Sequence, residues 1–204
     1  MTCNRPARGA AAAAVLAVSL PLISCAEAAT GADTEAGRQK AQVCFACHGP
    51  EGNSANPVMP SLAGQPAQFI STELFQFREG NRKDPQMTPL AASLTNADMN
   101  DLAAYFSAQK PRPPSHKTDP ANAAAAPKLA EQFNCVQCHG KALLGQQHIP
   151  RLAGQQFEYL KTQLRGFKAQ TRADLDGNMT SAAQALSEKD IDALVDYMAG
   201  LGAL

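Results

Sequence analysis

The stretch CFACHG at residues 44–49 comes back as CVQCHG at 135–140, and the surroundings come back with it. PSLAGQ at 60–65 returns as PRLAGQ at 150–155. At that same offset Phe69, Leu74, Phe77, Arg82 and Asp84 return as Tyr159, Leu164, Phe167, Arg172 and Asp174. After a two-residue insertion Met87-Thr88 returns as Met179-Thr180, and Leu94, Asp98, Leu102 and Tyr105 return as Leu186, Asp190, Leu194 and Tyr197. Two copies are too few for a solenoid, so each is read as a domain of its own.

The boundaries expected from the repeat are residues 29–107 for the first domain, 108–121 for a linker and 122–204 for the second. Pro111, Pro113, Pro114, Pro120 and Pro127 make segment 107–127 Pro-rich, semi-rigid and extended at least in part. Within each copy the pattern is helical. Pro66 opens a run with Phe69, Ile70, Leu74 and Phe77 at helical spacing, and Gly80 closes it. Thr95 with Asp98, and Ser187 with Asp190, read as capping boxes opening a final helix in each half. A short helix is expected to lead into each CxxCH, from about Thr34 and about Ala123. No period-two stretch of strand length occurs, so the fold class is all-α.

Aromatic residues make up only 5% of the 204-residue chain and tryptophan is absent. Two domains of under a hundred residues would therefore have thin cores, which a metal, a disulfide, a partner or a bulky apolar cofactor must supplement. Formal net charge is zero, so no bulk charge draws the chain to nucleic acid.

A disulfide, a zinc ion and a haem all use CxxC spacing. Zinc needs four ligands, and each copy offers two cysteines and one histidine. A redox dithiol belongs in a βαβ context, which the all-α pattern lacks. CxxCH is the attachment signature of c-type haem, with two thioether bonds and a histidine bound to iron. The motif therefore points to two covalently bound haem c groups, on Cys44, Cys47 and His48 and on Cys135, Cys138 and His139. For the second axial position only Met87 and Met179 fall opposite each other. Met59, Met99 and Met198 align with Ile149, Ile191 and Phe106 and read as apolar core or loop residues. His116 and His148 have no histidine counterpart. Arg82 and Arg172 have two competing readings: pairing with haem propionates, or solvated charges in a polar loop.

At the N-terminus Arg5 and Arg8 precede an apolar run from Ala10 to Ile23, the layout of an export signal. Cleavage after Ala28, giving a signal of residues 1–28, leaves a soluble product. The Leu22-Ile23-Ser24-Cys25 stretch instead resembles a lipoprotein signal ending at residue 24, with a lipid anchor on Cys25. Either way the mature chain is expected to be exported.

Two CxxCH units, each followed by P-x-LAGQ, a helix, a methionine and a capped last helix across a Pro-rich linker, resemble the cytochrome c4 family over nearly the whole mature chain. The resemblance implies two tandem class I cytochrome c domains and the axial pairs His48/Met87 and His139/Met179. It also implies that the carbonyls of Pro60 and Pro150 hold the N–H of each proximal histidine. The function implied is single-electron transport in a periplasmic respiratory chain, to a terminal oxidase or reductase, with redox donor and acceptor proteins as partners. The alternative is the cytochrome subunit of a larger oxidoreductase, such as flavocytochrome c sulfide dehydrogenase. A catalytic peroxidase needs an open or labile iron site, which two saturated irons do not provide.

Overall fold

The computed structural model describes residues 31–202, so the expected signal and Cys25 lie outside the described residues. The first half holds α1 (Thr34–Lys40), α2 (Phe45–His48), α3 (Ala67–Arg78), α4 (Met87–Ala91) and α5 (Asn96–Ala108). The second half repeats them as α6 (Pro120–Gln132), α7 (Cys135–His139), α8 (Phe157–Lys168), α9 (Asn178–Gln184) and α10 (Glu188–Gly200). No strand occurs among the described residues beyond an isolated bridge between Gln146 and Ile149.

Helix starts follow the side-chain chemistry. Thr95 Oγ1 accepts from the Asp98 amide at 3.1 Å while Asp98 accepts from the Thr95 amide at 2.9 Å, and Ser187 and Asp190 do the same at the head of α10. Both capping boxes stand where the spacing predicts them. The helix expected from about Ala123 starts earlier, at Pro120. Proline at the first helical position has no N–H to leave unpaired, and Asp119 caps the turn by accepting from the Ala121 amide. Pro120 and Pro127 are thus helical residues, and only the segment before them runs without helix.

In each half the first helix lies across the last. Gly37 of α1 sits on α5 so closely that a Cβ there would stand 2.1 Å from the Asp101 carbonyl oxygen. Lys40 clamps the same crossing between Asp98 (2.7 Å) and Asp101 (2.6 Å). In the second half, α6 meets α10 with Ala126 and Ala130 buried on it. The first core gathers Ile70, Leu102, Tyr105 and Phe106; the second gathers Leu160, Leu186, Ile191, Leu194, Val195 and Met198.

The linker is fastened to the second half by one carboxylate. Asp196 accepts from the Asp119 amide (2.9 Å) and Asn122 Nδ2 (2.9 Å) and meets His116 Nε2 at 2.6 Å. His116 also stacks on Phe157 at 4.8 Å. Burial pushes the Asp196 carboxyl up, but hydrogen bonds from Asn122, His116 and the Asp119 amide outweigh it, and the net shift is below the ordinary 3.8. A carboxyl lowered on folding stabilises above its unfolded value and loses that contribution as pH falls through the folded one. Asp196→Asn is therefore expected to cost about 1–2 kcal/mol at neutral pH, from lost charge-assisted hydrogen bonds. The gap between variant and wild-type melting temperatures should then close as pH falls below 4. A gap that persists into acid would show that the charge of Asp196 is not what holds the linker.

The halves meet through the repeated P-x-LAGQ loops. Gln65 Nε2 donates to the Arg151 carbonyl and Gln65 Oε1 accepts from the Arg151 amide, both at 2.9 Å. Gln155 does the same to Ser61, at 2.9 Å to its carbonyl and 2.7 Å from its amide. Gln65 and Gln155 occupy equivalent positions in the repeat, as do Ser61 and Arg151, so the two pairs mirror each other. Arg151, where the first copy has serine, donates across the seam to Ala63 O at 2.9 Å and within its own loop to Ala153 O. Burial without a carboxylate partner pushes its guanidinium down to about 10, still charged at neutral pH.

Candidate functional site

Each CxxCH forms a short helix that ends on its histidine. The glycine that follows, Gly49 or Gly140, has φ near +76° or +79° and turns the chain away; a Cβ on Gly49 would meet the Asn53 carbonyl oxygen at 2.2 Å. One turn of helix carries the two cysteines and the histidine together. His48 is 6% exposed and His139 4%. The His48 Nδ1 lies 2.8 Å from the Pro60 carbonyl oxygen and the His139 Nδ1 lies 2.9 Å from that of Pro150. The loop proline therefore orients the ring in both halves. Burial lowers both imidazole pKa values despite the carbonyl contacts, which keeps the rings neutral. With Nδ1 engaged as donor, Nε2 of each ring carries the lone pair that a metal takes.

Cys44, Cys47, Cys135 and Cys138 form no disulfide with one another. Burial pushes Cys44 up to about 11 and raises Cys135 as well. A redox dithiol works through a lowered thiol pKa, and Cys44 and Cys135 are shifted the other way. Among the described residues no three His, Cys, Asp or Glu side chains gather as a metal cluster, and each motif offers three such residues where a structural zinc takes four ligands. Two thiols and one neutral, oriented imidazole per half are the donor set that a covalent haem requires, and the residues fit that group.

Met87 opens α4 and its amide donates to Asp84 Oδ1 at 2.9 Å; the Met179 amide donates to Asp174 Oδ2 at 2.8 Å near the start of α9. Both methionines are half-buried. Sequence spacing gave no sign of these two short helices. The equivalent aspartates at 84 and 174 are the signal that locates them, since each caps the turn that presents the methionine. The two-residue insertion of the second copy is taken up ahead of Met179, where Gly177 has φ +74°. Met99 and Met198 are core residues, 4% exposed each, as their alignment with isoleucine and phenylalanine predicts.

Arg82 and Arg172 are not solvated loop charges. They converge on one cluster at the seam, because α3 and α8 bring Glu73 and Gln163 between them. Arg82 pairs with Glu73 and donates to Gln163 Oε1 at 3.0 Å; Arg172 donates to Gln163 Oε1 at 2.6 Å and reaches Glu73 at 3.4 Å. Each guanidinium also covers its own domain's aromatic ring, Phe77 at 4.6 Å and Phe167 at 4.5 Å. The solvated reading failed because the polar neighbours in sequence hid partners up to 99 residues away.

The cytochrome c family model matches residues 34–110 and again 123–202. Cytochrome c4 of Thiocapsa roseopersicina is 40% identical over 181 residues, covering 83% of this chain and 93% of that protein. The thiosulfate dehydrogenase electron acceptor of Stutzerimonas stutzeri is 34% identical over 174 residues, covering 79% and 80%. The crystal structure of reduced recombinant cytochrome c4 from Pseudomonas stutzeri superposes with a TM-score of 0.78 at 35% identity, covering 84% of this chain and all of that one.

Proposed function

The chain belongs to the cytochrome c4 family of electron carriers with two haem c groups, and from that premise we propose that it carries single electrons through a periplasmic respiratory chain, with His48/Met87 and His139/Met179 as the axial pairs. The observation that carries this reading is the doubled proximal arrangement: each buried histidine donates through Nδ1 to a loop proline carbonyl, and each copy has one methionine in register with the other's. When bound, the haem supplies one-electron redox chemistry, and an iron held by nitrogen and sulfur has no open position for substrate. The chain's own residues do the holding. Cys44 and Cys47 would hold one porphyrin and Cys135 and Cys138 the other, Pro60 and Pro150 set the orientation of the histidine rings, and Asp84 and Asp174 present the methionines.

The electrons are passed to a terminal oxidase or reductase. A second arrangement, in which the chain is the dedicated acceptor of a dehydrogenase of sulfur compounds, is favoured by its likeness to a thiosulfate dehydrogenase electron acceptor. Purification from the native host separates the two, since a dedicated acceptor brings a stoichiometric partner with it. Among the described residues no helix is long and apolar enough to cross a membrane. Cyanide tests the axial pairs: the oxidised holoprotein is expected to bind it slowly at both irons, because sulfur must leave first. Rapid binding at either iron would contradict the proposed ligation.

A further inference from the structure

The peptide group that accepts from each proximal histidine is the same group that donates to the other domain. Pro60 O receives the His48 Nδ1 proton at 2.8 Å, and the N–H of that same peptide, on Ser61, donates to Gln155 Oε1 at 2.7 Å. In the second half Pro150 O receives the His139 proton at 2.9 Å, and the N–H of that peptide, on Arg151, donates to Gln65 Oε1 at 2.9 Å. Gln65 is 2% exposed and Gln155 4%. We propose that each haem's reduction potential is set in part by a glutamine of the opposite domain, through the relay histidine–peptide–glutamine.

The physical basis is amide resonance. An acceptor on the N–H draws electron density toward the carbonyl oxygen, which then accepts more strongly from the imidazole. A more strongly held Nδ1 proton makes the ring a more basic ligand, which favours oxidised iron and lowers the potential. Burial matters because little solvent competes for these groups. The two relays differ at two points. Gln155 Oε1 is shared with the Gln156 amide at 2.9 Å, whereas the residue after Gln65 is a proline with no N–H to give. The relay peptide N–H belongs to a cationic residue, Arg151, in the second half and to Ser61 in the first. Two domains with the same ligand set thereby acquire unequal potentials without any change of axial ligand, and undocking the domains would release both relays at once.

The inference rests on His48 and His139 being the iron ligands, and the experiment separates the two claims. Gln155→Met and Gln65→Met keep side-chain length and remove the acceptor. Spectroelectrochemical titration of the holoprotein should resolve two one-electron steps. Gln155→Met is expected to raise one step and Gln65→Met the other. Each shift should correspond to about a threefold to tenfold change in the oxidised-to-reduced ratio, tenfold being about 59 mV for a one-electron couple. Gln156→Met serves as the control for a loosened seam. It removes the cross-domain bond to Ser54 O (2.7 Å), which belongs to no proline–histidine peptide, and should move neither step. If both glutamine variants move the same step, move both steps equally, or match the control, the relay is overturned while the ligation stands. Visible spectra of the same samples report the ligation independently, so a wild type without two six-coordinate haems would overturn the premise instead.

Discussion

Replacing Met179 by alanine is expected to change the second haem alone. Its iron loses the sulfur ligand, so half of the sulfur-to-iron charge-transfer absorption of the oxidised protein should disappear. The affected step of the redox titration should fall by on the order of 0.1 V or more, within the roughly 0.8 V span over which axial ligands set haem potentials. The vacated position should then bind cyanide rapidly. The other haem should keep its spectrum, since Met87 sits in its own aspartate-capped turn. Met198→Ala supplies the comparison. That methionine lies 4% exposed in the second core, so its loss should lower stability by about 2–4 kcal/mol and leave the charge-transfer band intact. If Met179→Ala retains the full band, the methionine is not a ligand.

A valine at position 37 is expected to damage the first domain severely. Glycine inside a helix sacrifices backbone entropy, so a substitution by propensity alone would gain a few tenths of a kcal/mol. The geometry overrides that gain. Even the first carbon of a side chain would meet Asp101 O at 2.1 Å, Asp101 C at 2.7 Å and Tyr105 Cβ at 2.8 Å. Two of these are backbone atoms that no rotamer change can move. Helices α1 and α5 must separate, and the Lys40 clamp to Asp98 and Asp101 opens with them. The net loss is about 3 kcal/mol, at the upper end for overpacking, which for a domain of this size lowers the melting temperature by about 10 °C or more. A melting temperature within 2 °C of wild type would show that the crossing has slack.

Much of this architecture is written locally. The capping boxes at Thr95 and Ser187 were readable because a cap spans three residues. The duplication singled out Met87 and Met179 from methionines that merely fill cores, and the structure puts both on equivalent turns. The proximal carbonyl contacts of Pro60 and Pro150 followed from family resemblance, and the distances bear them out. What was not legible depends on contacts between the copies. Gln65 and Gln155 were visible as repeated letters, yet their partners lie 86 and 94 residues away across the seam. Arg151 stands where the copies differ, and spacing says nothing about a side chain that spans the seam. Arg82 and Arg172 stood open between propionate pairing and solvated loop charge because their neighbours in sequence are polar, while burial comes from α3 and α8 closing over them. Pro120 looked like linker because the same residue both breaks helices and begins them; Asp119 decides between the two.

The central claim is two haems per chain, each iron held by one imidazole and one thioether. Visible and near-infrared absorption of the purified holoprotein, oxidised and reduced, with haem quantified as the pyridine haemochrome, tests it directly. Two haems per chain, low-spin in both states, with a sulfur-to-iron band of twice the single-haem intensity, is the result expected. One haem per chain, or a five-coordinate high-spin iron in the resting protein, would contradict it.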